Sequence, residues 1–137
     1  MTSLPLILHI RKPDIDFKHM KEEMNQELAF QEYFLNAMSL FIPNFEKFVV
    51  QTLTKARPHL AEEESEKVRL FIKQEGNHLI YHTRLNDIIL ERYQALNGKF
   101  KILEFEFSNL KNSLMESAAF EHLFAVNSEL LLKYMRT

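Results

Sequence analysis

Residues 62–96 read EEESEKVRLFIKQEGNHLIYHTRLNDIILERYQAL, and this stretch decides the fold class. It holds no Pro and one Gly, Gly76. Val68, Phe71, Leu85 and Ile89 recur in the steps of three and four that mark one face of a helix. Glu62, Glu63 and Glu64 complement the positive end of a helix dipole. The spacing predicts a helix of about 35 residues, roughly 50 Å long at 1.5 Å per residue. Such a length points to a long-helix bundle.

The flanking sequence extends this pattern. Asn97-Gly98 is the strongest turn signal in the chain. Beyond it a fourth helix is expected from about Lys99 to the end, with Lys133 and Arg136 in its last turn. Upstream, Pro58 biases Arg57 out of helix, and Pro43 suits the opening of a second helix. A first helix is expected from about Phe17 to Leu40, on Phe17, Met20, Met24, Leu28, Leu35 and Met38. Residues 1–16 read as an irregular lead-in. The expectation is a single all-α domain over residues 1–137, an antiparallel long-helix bundle of about four helices.

Composition removes several function classes. The 137 residues are 46% apolar and 26% charged, as in an ordinary globular domain. A net charge of -2 offers no basic surface for nucleic acid or an anionic membrane. Only Gly76 and Gly98 are present, too few and too far apart for a P-loop or a dinucleotide fingerprint. Without Cys there are no disulfides, thiolate zinc sites or Cys nucleophiles, which suits a cytoplasmic location. The apolar run from Leu4 to Ile10 is broken by Pro5 and His9 and lacks signal-peptide features. No stretch approaches the roughly 18 apolar residues of a membrane span.

The apolar seams carry the chemical signal. The second helix gives Ile42, Glu46, Val49, Leu53 and Ala56. The third gives Val68, Phe71, Glu75, His78, His82, Leu85 and Ile89. The fourth includes Phe107, Leu110, Leu114, Ser117, Glu121, Phe124 and Ser128. Each seam is interrupted by a carboxylate, which costs several kcal/mol to remove from water unless it is compensated. Glu75 and Glu121 stand almost equally far from the Asn97-Gly98 turn. Glu46 and Glu75 stand almost equally far from Leu60. Antiparallel packing therefore puts all three at one level, with His78 on the face of Glu75. Glu-x-x-His on one helix, with Glu from its neighbours, is how bundle di-iron carboxylate sites are built. Such ligands suit a divalent Fe, Mn or Zn ion.

Other residues near this level have weaker readings. His82 continues the seam, as a group behind the ligands or a further ligand. His122 lies about 100° around the helix from Glu121 and would be at most a flanking or additional ligand. Gly76 marks a close backbone approach, a local π-bulge or tight helix packing. Phe100, Phe105 and Phe107 read as core. No catalytic residue or specificity determinant stands out beyond this constellation.

Four elements together resemble a known family. They are Asn36-Ala37-Met38-Ser39 followed by Phe41-Ile42-Pro43-Asn44-Phe45-Glu46-Lys47-Phe48; Gln74-Glu75-Gly76-Asn77-His78 followed by His82; Ala118-Ala119-Phe120-Glu121-His122-Leu123-Phe124-Ala125; and Ile10-Arg11-Lys12 through Asp16-Phe17. Their order and spacing across nearly the whole chain are similar to those of the bacterial predicted metal-dependent hydrolases, an all-α group related to ferritin-like di-iron oxygenases. The resemblance implies a ferritin-like fold, metal-binding positions at Glu46, Glu75, His78 and Glu121, and hydrolysis of an unidentified small molecule. The oxygenase relationship implies dioxygen chemistry at two irons instead. The chain departs from the family at Asn44-Phe45, where a residue-Gly pair is usual. Members are about twice as long and carry a later Glu-x-x-His element, so the last ligand helix is expected to be missing. That leaves another reading, a truncated, non-catalytic helical protein that forms homo-oligomers through an exposed apolar seam.

Overall fold

The computed structural model describes residues 10, 12–15, 17, 29–94 and 104–134. Helix α1 spans Ala29–Ala56, a 3-10 turn covers Arg57–His59, α2 spans Glu62–Arg92 and α3 spans Leu110–Tyr134. The all-α expectation holds, with three helices and no strand among the described residues. No described helix is long and apolar enough to cross a membrane. Helix α1 is central and packs against both α2 and α3. The Asn97-Gly98 turn, Lys99, Phe100, His9, His19 and most of the stretch from Phe17 to Leu28 lie outside the described residues.

Local chemistry explains most helix ends. Pro58 sits in the 3-10 turn that separates α1 from α2, as expected. Helix α2 opens on Glu62, Glu63 and Glu64 and closes on Arg92, both matched to the helix dipole. Helix α3 begins where Asn109 caps it. The Asn112 backbone N–H donates to Asn109 Oδ1 at 3.0 Å, and the Ser113 N–H donates to the Asn109 carbonyl at 2.9 Å.

Pro43 overturns one expectation. It lies inside α1, which runs unbroken where a boundary between two helices was expected. A proline there removes the N–H that would bond the carbonyl four residues earlier. That carbonyl belongs to Ser39, and the Asn86 side chain of α2 donates to it at 3.0 Å. A partner from the neighbouring helix thus replaces the lost donor.

The direction of α3 overturns another. Along α1 and α2, Glu32 meets Arg92 at 2.6 Å and Ser39 meets Asn86 at 2.8 Å, and Arg57, just after α1, meets Ser65 at 3.0 Å. These two helices are antiparallel. Along α1 and α3, Phe41 meets Phe124 with ring centroids 5.8 Å apart, and Lys55 Nζ lies 3.6 Å over the Phe107 ring ahead of α3. Helix α3 is therefore also antiparallel to α1, and α2 and α3 run parallel. The expected hairpin between them is replaced by a crossover. Its ends stand level with Glu32 and Lys55, about 35 Å apart along α1. Among its described residues, 104–109 have no regular structure.

The core is aromatic. Phe45, Phe48 and Val49 of α1 are almost fully buried. Phe41, Phe105, Phe120 and Phe124 close around them. Phe45 meets Phe105, Phe120 and Phe124 with centroids 5.4 Å apart in each case, in edge-on and tilted pairs. Such pairs contribute about 0.5–1.5 kcal/mol each beyond their buried area. Phe105 is core as expected, while Phe107 carries the Lys55 cation.

Gly76 lies within the regular α2 helix, and no described atom comes within 4 Å of where its Cβ would be. Among the described residues, neither the close approach, the π-bulge nor the tight packing expected there is present. Gly76→Ala is expected to stabilise the fold by about 0.5–1 kcal/mol, because alanine fits and restricts the unfolded chain. Chemical denaturation checks this, and a destabilised variant would mean the space is needed.

Candidate metal centre

Three helices deliver polar side chains to one cavity of about 300 Å3. Helix α1 contributes Glu46, α2 contributes Glu75, His78 and His82, and α3 contributes Glu121. The walls are Ile42, Phe45, Phe124, Ala125 and Ser128. All four residues expected to bind metal line this cavity, with His82 beside them, but only Glu46, Glu75 and His78 bring ligand atoms close together, and Glu121 stands outside that group. His122 is exposed and does not line the cavity. Glu121 reaches the level of Glu75 although α3 runs parallel to α2, and counting back from a hairpin turn does not explain its position. The aromatic pairs Phe45–Phe120 and Phe45–Phe124 set that level instead, since Glu46 follows Phe45 and Glu121 follows Phe120.

Glu46, Glu75 and His78 each present one ligand atom, and these atoms lie within 4.8 Å of one another. His78 Nδ1 is 3.6 Å from Glu75 Oε2 and 3.8 Å from Glu46 Oε1. Two metal–ligand bonds of about 2.1 Å span up to about 4.2 Å, so both contacts match the reach of a shared first-row cation. The other ring nitrogen, Nε2, meets the Gln74 side-chain amide at 2.7 Å. That amide serves the ring in either state. Its NH2 donates when Nδ1 holds the proton, and its carbonyl accepts when Nδ1 is free to ligate.

The electrostatics fit a site shaped for a cation. Glu46 is 4% exposed and Glu75 is 6% exposed. Glu46 Oε2 is buried and finds no hydrogen-bond partner among the described residues. Burial, then the charges of Glu75 and Glu121, push the Glu46 carboxyl up to about 8. Burial, then Glu75, raises the Glu121 carboxyl, with His78 opposing. Contact with the Glu75 carboxylate raises His78 against the opposing effect of burial. His82 is lowered, by burial first and by His78 second. Oxygen and imidazole donors converge here around an orphaned carboxylate oxygen. A divalent cation would displace the Glu46 proton and satisfy that oxygen, so the residues fit such a group.

Sequence patterning missed three neighbours of the site. Gln74 is buried at the position four before His78, and Asn86 is buried four after His82. Ser39 is buried on α1 and bonds both His82 and Asn86. The i, i+4 spacing on α2 was visible, but the partner on α1 was not. Pro43, read as the opening of a helix, puts Ser39 at a helix end, whereas both lie inside α1.

The family described as predicted metal-dependent hydrolase matches residues 9–137. No curated protein and no solved structure matches the chain. With that family model spanning nearly the whole chain, and a carboxylate–imidazole group gathered in an aromatic-walled cavity, the protein belongs to the predicted metal-dependent hydrolase family.

Proposed function

We propose that the protein hydrolyses a small molecule at a divalent Fe, Mn or Zn ion held by Glu46, Glu75 and His78. The observation that carries this reading is the meeting of two buried carboxylates and one imidazole within 4.8 Å, with Glu46 Oε2 lacking a hydrogen-bond partner among the described residues. When bound, the cation supplies Lewis acidity and lowers the pKa of a coordinated water. Glu121 lines the same cavity with a raised carboxyl pKa, which suits it to take a proton and return it. Phe45, Phe124 and Ile42 give the substrate an apolar wall and keep bulk water from the carboxylates.

The crossover between parallel α2 and α3 supports a ferritin-like arrangement, in which one long connection joins two hairpins. Dioxygen chemistry at two irons is less well supported. A bundle di-iron site draws on about four Glu and two His. The cavity offers three Glu, with His78 in the ligand group and His82 outside it. That donor set favours one cation.

A second reading concerns assembly. Met115, Leu123, Val126 and Leu130 are exposed along one stripe of α3, on the side away from Ser113, Ser117 and Phe124. This stripe supports homo-oligomer formation. Val126→Glu is then expected to shift sedimentation toward monomer, whereas an unchanged sedimentation coefficient would exclude the stripe as an interface.

Titration of the metal-stripped protein with Zn2+, Mn2+ and anaerobic Fe2+ is expected to show saturable binding of about one equivalent. Its apparent affinity should fall at least about tenfold per pH unit below the Glu46 pKa of about 8, because each ion displaces the Glu46 proton and, at lower pH, the His78 proton as well. Absence of saturable binding for all three ions would sink the metal reading. A panel of ester, phosphoester and amide substrates, assayed with the loaded protein, then tests hydrolysis.

Glu46→Gln separates a metal ligand from a structural residue. Without metal, the native wild type binds more protons at Glu46 than the unfolded chain does between about pH 4.3 and 8. Its stability therefore falls as pH rises through that window. The raised Glu121 and His78 act in the same direction, and the lowered His82 opposes them. Glu46→Gln should flatten this slope and stabilise the metal-free protein at pH 8 by a few kcal/mol, on the order of the shift. The same variant should lose metal binding. Thermal melts across pH, paired with metal titration, check both outcomes.

A further inference from the structure

Ser39 of α1 joins Asn86 and His82 of α2 in one chain of hydrogen bonds. The argument starts at Pro43. Having no N–H, it leaves the Ser39 carbonyl open within α1. Asn86 Nδ2 lies 3.0 Å from that carbonyl. A carbonyl oxygen only accepts, so the Asn86 side chain must present its NH2 there. Its other end, Oδ1, then lies 2.8 Å from Ser39 Oγ. Oδ1 also only accepts, so the Ser39 hydroxyl proton must point at Asn86. Ser39 Oγ is left with lone pairs toward His82 Nδ1, 3.0 Å away. That contact is a hydrogen bond only if Nδ1 carries the proton and donates it.

We infer that Asn86 and Ser39 are positioning residues that hold neutral His82 as its Nδ1–H tautomer, so that the Nε2 lone pair is the one turned to the cavity. Free imidazole side chains prefer the other tautomer, with the proton on Nε2. The relay therefore reverses the intrinsic preference. Ser39 and Asn86 are both buried, which keeps water from substituting for either partner. His82 lines the cavity but stands outside the group of ligand atoms within 4.8 Å. Its Nε2 is thus a proton acceptor beside the metal residues rather than a member of their set. The catalytic use of that acceptor rests on the hydrolase reading above. The tautomer itself does not.

Long-range 1H–15N correlation spectra of metal-free protein labelled at histidine test the relay. In the wild type near pH 7.5, His82 is expected to show a protonated Nδ1 and a bare Nε2. Ser39→Ala removes the acceptor. Asn86→Ala frees the Ser39 hydroxyl to donate to Nδ1. Both variants should move His82 from predominantly Nδ1–H to predominantly Nε2–H, while Ser39→Thr, which keeps the hydroxyl, should retain the wild-type signature. Wild-type His82 already in the Nε2–H form would overturn the inference, even if a variant does not fold. So would both alanine variants keeping the wild-type tautomer with helical circular dichroism intact. Metal titration of the same wild-type sample keeps the two ideas apart. No bound metal with an Nδ1–H signature would remove the hydrolase reading and leave the relay standing.

Discussion

Two carboxylates that would rather be in water are buried against each other between α1 and α2. Glu46 and Glu75 are each less than a tenth exposed, and Glu121 approaches from α3. Like charges in a low-dielectric space cannot all ionise, and Glu46 responds by holding its proton to about pH 8. His78 provides only partial relief. Its Nδ1 stands 3.6 and 3.8 Å from the two carboxylates, and the ring is nearly half exposed. The arrangement is costly for an empty protein and favourable for one that holds a cation.

The rest of the bundle keeps those groups from escaping. The aromatic cluster directly beside the site ties α1 to α3 through Phe41, Phe45, Phe105, Phe120 and Phe124. It is dense, apolar and adjacent in sequence to Glu46 and Glu121, so rotation of either helix would have to disrupt it. Between α1 and α2 the fixing elements are polar instead. The Glu32–Arg92 ion pair anchors one end, and the Ser39–Asn86 pair lies between that end and the carboxylates. Helix α1 thus has an oily contact on one side and a hydrogen-bonded contact on the other, and the site opens where the two meet.

Pro43 links these features. A proline in mid-helix is ordinarily destabilising because a carbonyl loses its donor. Here the donor comes from α2, and its side chain also holds Ser39 Oγ and, through it, His82. The defect in one helix is repaired by a contact that orders the neighbouring site.

The sequence by itself determined the helical class, the break at Pro58 and the start of α2 in its acidic run, and it singled out Glu46, Glu75, His78 and Glu121, which line one cavity. These are local or periodic properties, and a charge on an apolar face is visible wherever the period is strong. The Asn109 cap was equally local, yet the stronger Asn97-Gly98 signal drew the expected helix start away from it. Only the tertiary structure decided that α1 continues through Pro43, because the compensating donor, Asn86, is distant in sequence. Only the tertiary structure decided that α3 runs parallel to α2, because the direction of a helix after a connection depends on which end of α1 it packs against. The common level of the three carboxylates follows from that packing. Aromatic rings 5.4 Å apart set it, rather than residue counts from a turn.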